Sequence, residues 1–182
     1  MKAARVLRFG PPNVITNDDL PRPEPAAGQL LVRVKAAGVG NWDGLVREGK
    51  IPHEPLPLIL GYELSGIVEA IGPGVSGFKP GDEVYGATNE QLTGAYAEYA
   101  VPSAKMMAQR PKTLTFLQAA SAPVATVTAW QMLFDYGHVN CGQSVLIHGA
   151  AGNVGGYAVQ LAKLFGLHRR PRGSGLRLKS RC

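Results

Sequence analysis

The sequence is short of cysteine, with Cys141 and Cys182 the two it has in 182 residues. Two thiols cannot by themselves hold a metal cluster and do not form a disulfide framework, which fits a reducing cytosol. Nowhere do apolar residues run on for the roughly 18 positions that cross a bilayer. Lys2, Arg5 and Arg8 lead into no apolar signal-peptide core. Neither membrane spanning nor secretion is indicated, and a cytoplasmic protein is expected. Acidic residues are missing from one region only. Gly166 to Cys182 carries Arg169, Arg170, Arg172, Arg177, Lys179 and Arg181 and no Asp or Glu, which accounts for the whole formal charge of +6. Residues 1–165 are therefore balanced, and the high isoelectric point is no sign of a nucleic-acid-binding face. The tail also lacks aromatic side chains to stack on bases, so a solvated, disordered segment is expected ahead of a nucleic-acid module.

What is present centres on Ser144–Ala162, SVLIHGAAGNVGGYAVQLA. Val145, Leu146 and Ile147 read as a buried parallel strand, and Gly149 to Gly155 as a small-residue turn. Val154, Ala158, Leu161, Ala162 and Phe165 recur at helical spacing, with Gly166 placed to end that helix in the left-handed conformation. Strand, glycine turn and helix in succession form the phosphate-binding arrangement of dinucleotide folds, where unpaired N–H groups and the positive end of a helix dipole face a pyrophosphate. The candidate cofactor-binding residues are Ala150, Ala151, Gly152, Asn153, Val154 and Gly155. Gly152 would let the phosphates approach the backbone, and Gly155 would let the helix lie close on the strand. Ala150 stands where the fingerprint G-x-G-x-x-G has its first glycine, and an ordinary βα connection is the alternative reading.

The first hundred residues punctuate short apolar runs with glycine and proline. Strands are expected at Met1–Phe9, at Leu30–Ala36 with Leu31, Arg33 and Lys35 on the opposite face, at Gly66–Ile71, at Glu83–Tyr85 and at Ala95–Val101. Asn41–Glu48 suits one short helical stretch, and Pro52, Pro55 and Pro57 are expected to exclude regular structure up to Leu60. This spacing suggests a small, strongly bent barrel. Beyond residue 110 the period changes. Thr115 with Gln118 is a capping box opening a helix through Ala120, and Pro123 precedes a helix from Val124 to Tyr136 that Gly137 stops.

Four blocks now carry a family likeness: GIVEAIGPGVSGFKPGDEV at Gly66–Val84, GAYAEYA at Gly94–Ala100, AASAPVATVTAW at Ala119–Trp130 and VLIHGAAGNVGGYAVQLAK at Val145–Lys163. Together they resemble the medium-chain dehydrogenase/reductase superfamily, and most closely its zinc-free quinone oxidoreductase branch, related to zeta-crystallin. The resemblance implies an α/β protein. Residues 1–120 would be a chaperonin-10-like β-barrel catalytic domain and residues 121–166 the start of a Rossmann-type dinucleotide-binding domain, with NADPH held between them. It also implies an oxidoreductase transferring hydride to a small-molecule quinone or α,β-unsaturated carbonyl, and it leaves a homodimer open for a full-length chain.

Zinc-dependent members carry a cysteine in G-V-C-x-x-D and a histidine in G-H-E. The corresponding segments here read Gly38-Val39-Gly40-Asn41-Trp42-Asp43 and Gly61-Tyr62-Glu63, no cysteine lies in Ala119–Thr128, and no four-cysteine lobe lies near residues 86–94. The sequence therefore supplies no tetrahedral ligand set, and no metal is expected. By the resemblance, Asn41, Asp43 and Tyr62 line the catalytic cleft and Thr128 contacts the nicotinamide region. Each also has a plainer reading. Asp43 can cap the helix that follows, Tyr62 can serve as packing, and Thr128 can bond back to its own helix. His148 reads as a strand-end residue, His53, His138 and His168 show no ligand spacing, and Cys141 sits in a loop.

The last stretch, LHRRPRGSGLRLKSRC, does not continue the family pattern. After the first helix of a dinucleotide fold a second apolar strand should follow, ending near the residue that distinguishes ribose from 2′-phosphate. Residues 167–182 instead have the bias of a shifted reading frame, so a truncated, weakly active or inactive reductase is expected. The alternatives are a non-enzymatic fragment and a nucleic-acid-binding module working through the basic tail.

Overall fold

Leu30, Val32, Leu64, Val68 and Val84 are each no more than 1% exposed and pack into one another from three neighbouring strands. They belong to β3 (Leu30–Ala37), β5 (Glu63–Ile71) and β6 (Glu83–Ala87). The computed structural model describes residues 1–51, 55–91 and 93–167, so the expectations for His53, His168 and the tail lie outside the described residues. The chain divides into two units, Met1–Pro123 and Val124 onward.

In the first unit, β1 (Lys2–Val6) pairs antiparallel with β2 (Ile15–Asp19) and with β4 (Leu58–Ile59). A five-stranded antiparallel sheet has the order β7-β3-β5-β6-β8, where β7 is Tyr99–Ala100 and β8 is Met107–Gln109. The strand expected over Ala95–Val101 is shorter than its segment but knits the two sheets. Ala4 N–H donates to the Tyr96 carbonyl, Glu98 N–H to that of Lys2, and Tyr96 N–H to that of Leu60. A second core of Val6, Val14, Val46, Leu58 and Leu60 fills the side beneath β1 and β4. On β3 the two-residue period is broken by a bulge between Leu31 and Val32, so Leu30, Leu31 and Val32 are all buried.

Helix α1 (Asn41–Arg47) forms where a short turn is expected, and α2 (Phe116–Ala120) opens on the capping box. There the Thr115 hydroxyl accepts from Gln118 N–H at 3.3 Å while Gln118 Oε1 accepts from Thr115 N–H at 2.9 Å. Arg110 pins α2 to the sheet by pairing with Glu83, reaching the Leu114 carbonyl and stacking 4.7 Å from the centre of the Phe116 ring. One expectation is corrected here, and one strand had no reading in the sequence. Leu58–Ile59 is a strand despite the prolines before it, because the last of them, Pro57, leaves both amide groups free to pair with Val6 and Arg5. β2 is a strand despite its polar sequence, because Lys2 and Arg5 neutralise Asp19 and Asp18 across the pair.

In the second unit α3 (Pro123–Trp130) runs on into a π-helical turn, Gln131–Asp135. The helix expected to Tyr136 is therefore α-helical only to Trp130. Tyr136 N–H reaches back five residues to the Gln131 carbonyl, and a Cβ at Gly137 would lie 2.6 Å from the Met132 carbonyl oxygen. Helix α4 (Asn153–Leu164) closes as expected. Gly166 has φ +67°, Gly166 N–H bonds the Lys163 carbonyl and Leu167 N–H that of Ala162, which is a Schellman ending. Ala129, Leu133 and Ala158 form the buried core of this unit.

The strand expected over Val145–Ile147 is not found among the described residues. Val145 and Ile147 pack against the helical core while Leu146 is 80% exposed, so the segment is covered on one face and not on both. A strand is a property of a hydrogen-bonded pair, and no described strand lies beside this one to make the ladder.

Candidate functional site

The residues singled out by sequence fall in both units, and each group has its own geometry. In the first unit Asn41 is the opening, exposed residue of α1, and Asp43 lies two positions on, 6% exposed. The Asp43 carboxylate accepts from Gly40 N–H at 2.8 Å through Oδ2 and from Gly61 N–H at 3.1 Å through Oδ1. The Tyr96 hydroxyl donates to Oδ2 at 2.9 Å, with the Gly38 carbonyl at 3.2 Å as its other neighbour. A carboxylate in the first turn of a helix also complements the partial positive charge there. The helix-capping reading of Asp43 is thus realised, with two further donors that no local pattern announces. Tyr96 is the residue sequence reasoning missed. Its bond to Asp43 spans 53 residues of chain, beyond the reach of any spacing rule.

Tyr62 is half-buried just before β5, and its hydroxyl has no hydrogen-bond partner among the described residues. Burial, and then the carboxylates of Glu63 and Asp43, hold its phenol above the ordinary ionisation range, so it remains a hydroxyl donor at neutral pH. The hydroxyl lies over the backbone at Gly40, where a Cβ would come within 2.6 Å of it. Gly40 thus makes the space that Tyr62 occupies.

In the second unit Gly149 has φ +70° and turns the chain, and Gly152 N–H bonds the Gly149 carbonyl at 2.8 Å. Gly152 is the N-cap of α4, followed by Asn153, Val154 and Gly155. The first N–H groups of a helix have no intrahelical acceptor, and here Ala150, Ala151, Gly152 and Asn153 are exposed with no acidic residue in the first turn. A Cβ at Gly155 would collide with the Gly149 carbonyl, so the close approach this glycine permits is to the turn itself. Small exposed residues, the first N–H groups of the helix and the absence of a repelling carboxylate suit the phosphates of a dinucleotide. The Thr128 hydroxyl bonds back to the Val124 carbonyl at 2.7 Å, its plainer reading. By contrast, the buried Thr126 hydroxyl has no partner among the described residues. His138 stands in the left-handed region at φ +47°, and His148 is exposed before the glycine turn. Among the described residues no three His, Cys, Asp or Glu side chains gather as a metal site, and no helix is long and apolar enough to cross a membrane.

Comparison with known proteins agrees with this layout. Residues 26–112 match the alcohol dehydrogenase GroES-like domain. Human quinone oxidoreductase is 38% identical over 169 residues, which is 92% of this chain and 51% of that protein. The chain is similar to the medium-chain dehydrogenase/reductase superfamily over the half of those proteins that it spans. A Novosphingobium aromaticivorans protein of the alcohol dehydrogenase superfamily superposes with a TM-score of 0.85 at 40% identity, over 93% of this chain and 52% of that one. Escherichia coli quinone oxidoreductase complexed with NADPH superposes with a TM-score of 0.82 at 30% identity, over 93% and 51%. The chain thus spans about half the length of the curated quinone oxidoreductases it matches. The GroES-like match lies within the β-rich first unit.

Proposed function

We propose that this stretch of chain belongs to an NADPH-dependent, zinc-independent reductase of quinones or α,β-unsaturated carbonyls. The observation that carries the reading is the glycine turn at Gly149–Gly155 opening α4, with exposed backbone donors and no acidic residue beside it. The similarity to quinone oxidoreductases supports it. Ala150 to Gly155 would seat the pyrophosphate, and the cofactor, when bound, supplies the hydride. This chain's own contribution to the chemistry is the Tyr62 hydroxyl, which donates to the acceptor's carbonyl oxygen as charge gathers there. Asn41, exposed at the start of α1, is the second polar group of that surface, and Asp43 supports both from beneath.

The 182 residues taken alone would bind NADPH weakly and turn over little, because holding a nicotinamide against an acceptor needs walls on both sides. A titration of the purified chain with NADPH, followed by cofactor fluorescence, tests the reading. Weak, saturable binding abolished by substitution in the glycine turn supports it. Binding that is undetectable at millimolar cofactor favours a non-enzymatic role for this chain.

A further inference from the structure

We infer that Asp43 and Tyr96 form a positioning pair, which fixes Tyr62 and the start of α1 relative to each other and takes no part in proton transfer itself. The inference rests on the reading of Tyr62 as the hydroxyl that faces the acceptor, and it deepens that reading.

Both oxygens of the Asp43 carboxylate are committed. Oδ1 holds Gly61 N–H at 3.1 Å, and Oδ2 holds Gly40 N–H at 2.8 Å and the Tyr96 hydroxyl at 2.9 Å. The three donors come from three separate stretches of chain. Gly40 is the residue before Asn41, and Gly61 is the residue before Tyr62. Each backbone bond therefore anchors the position next to a candidate site residue, and the carboxylate is the one group common to both. A side chain with both oxygens so engaged and 6% exposed is held inside the unit by its own neighbours.

The glycines show how tightly the parts fit. Gly61 has φ +88°, and a Cβ there would collide with the Tyr96 ring. Gly40 would bring a Cβ within 2.6 Å of the Tyr62 hydroxyl. Two tyrosines thus lie over two glycines, with Asp43 between them. Tyr96 packs into both apolar cores of the unit, so its ring is held from two sides and its hydroxyl is delivered to Asp43 at a set position. Burial and the Asp43 charge keep the Tyr96 hydroxyl protonated, and the titratable groups around it are Asp43, Tyr62 and Glu63. The pair thus passes the rigidity of the barrel core to the loop that carries Tyr62.

The test uses the 182-residue chain without cofactor or acceptor, so failure of the reductase reading leaves it intact. Tyr96→Phe keeps the ring and removes one hydroxyl. Amide exchange at Gly40, Gly61 and Tyr62 is expected to quicken at least tenfold, with the amides of β3 and β5 unchanged. The carbon-13 signal of the Tyr62 ring should move or divide into two forms. A lower melting temperature with unchanged exchange at Gly61 and an unchanged Tyr62 signal would overturn the inference, because a purely structural bond predicts that outcome. Should Tyr96→Phe fail to fold, Asp43→Asn decides by the same two readouts. The unaltered chain supplies the third arm, in which Gly61 N–H should be as protected as the amides of β5. Protection there at the level of an open loop would refute the pair.

Discussion

The backbone at Gly155 lies so close to the carbonyl of Gly149 that no side chain fits between them, whereas a Cβ at Gly152 would stand 3.2 Å from the same oxygen. The two glycines of the turn therefore fail differently when replaced. Gly155→Ala forces the turn off α4 and should cost about 1–3 kcal/mol of stability, the usual penalty of overpacking. A thermal melt monitored by the far-ultraviolet signal of the helices would measure it. An unchanged midpoint would mean that the turn yields freely.

Gly152→Val should lower the melt less than Gly155→Ala does and weaken NADPH binding at least tenfold. The branched side chain would occupy the space of the phosphates and hinder the backbone donors at the start of α4. Cofactor fluorescence titration separates this from the effect at Gly155. Equal affinity in wild type and variant would show that the phosphates bind elsewhere.

Leu64 is fully buried in the β5 row, and Leu146 is 80% exposed. Leu64→Ala should lose about 2–5 kcal/mol through transfer and cavity terms, and Leu146→Ala should stay within about 0.5 kcal/mol of wild type. Denaturant midpoints with unchanged slopes would confirm both values.

Amide exchange should rank the two units. Leu31 to Ala36 and Gly66 to Ile71 sit in a five-stranded sheet, and Val145 to Ile147 pair with no described strand. The first two stretches should exchange slowly and the third fast. The reverse order would contradict the placement of the core.

An alkaline prediction follows from Tyr96. Its phenol is pushed well above the ordinary value of 10.0 by burial and by its bond to Asp43, so its folded form binds the proton more tightly than its unfolded form does. That stability is fully present below pH 10 and drains as pH rises beyond it. Tyr96→Phe should be less stable than wild type at pH 8, and its stability should fall less steeply between pH 10 and 11. Urea midpoints across that range measure the difference in slope.

Much of this was legible in the sequence for local reasons. The α2 capping box, the left-handed Gly166 and the start of α4 depend on residues a few positions apart, and the structure places all three as read. β3 was legible in outline, but the bulge that turns Leu31 inward was not, because register is set by the partner strand. The run at Val145–Ile147 has strand composition yet lacks a described strand to pair with. The Asp43–Tyr96 bond and the seat of the Tyr62 hydroxyl over Gly40 depend on contacts between residues distant along the chain. Thr128 matched the family pattern, and its hydroxyl is nevertheless spent on its own helix.

The segment from Gly94 to Glu98 closes the barrel onto β1 and the β4 end, and the Lys2–Glu98 contact spans 96 residues. On a ribosome, β1 therefore emerges long before its last partner exists. At about 5–20 residues per second the wait is roughly 5–20 seconds. For the first half of it β2 alone can cover Val6 and the apolar side of β1, and β4 joins only after residue 59 has been made. The last partner of β1 to be made is thus one short segment, and a pause in translation just before residue 94 would prolong the exposure of that first strand.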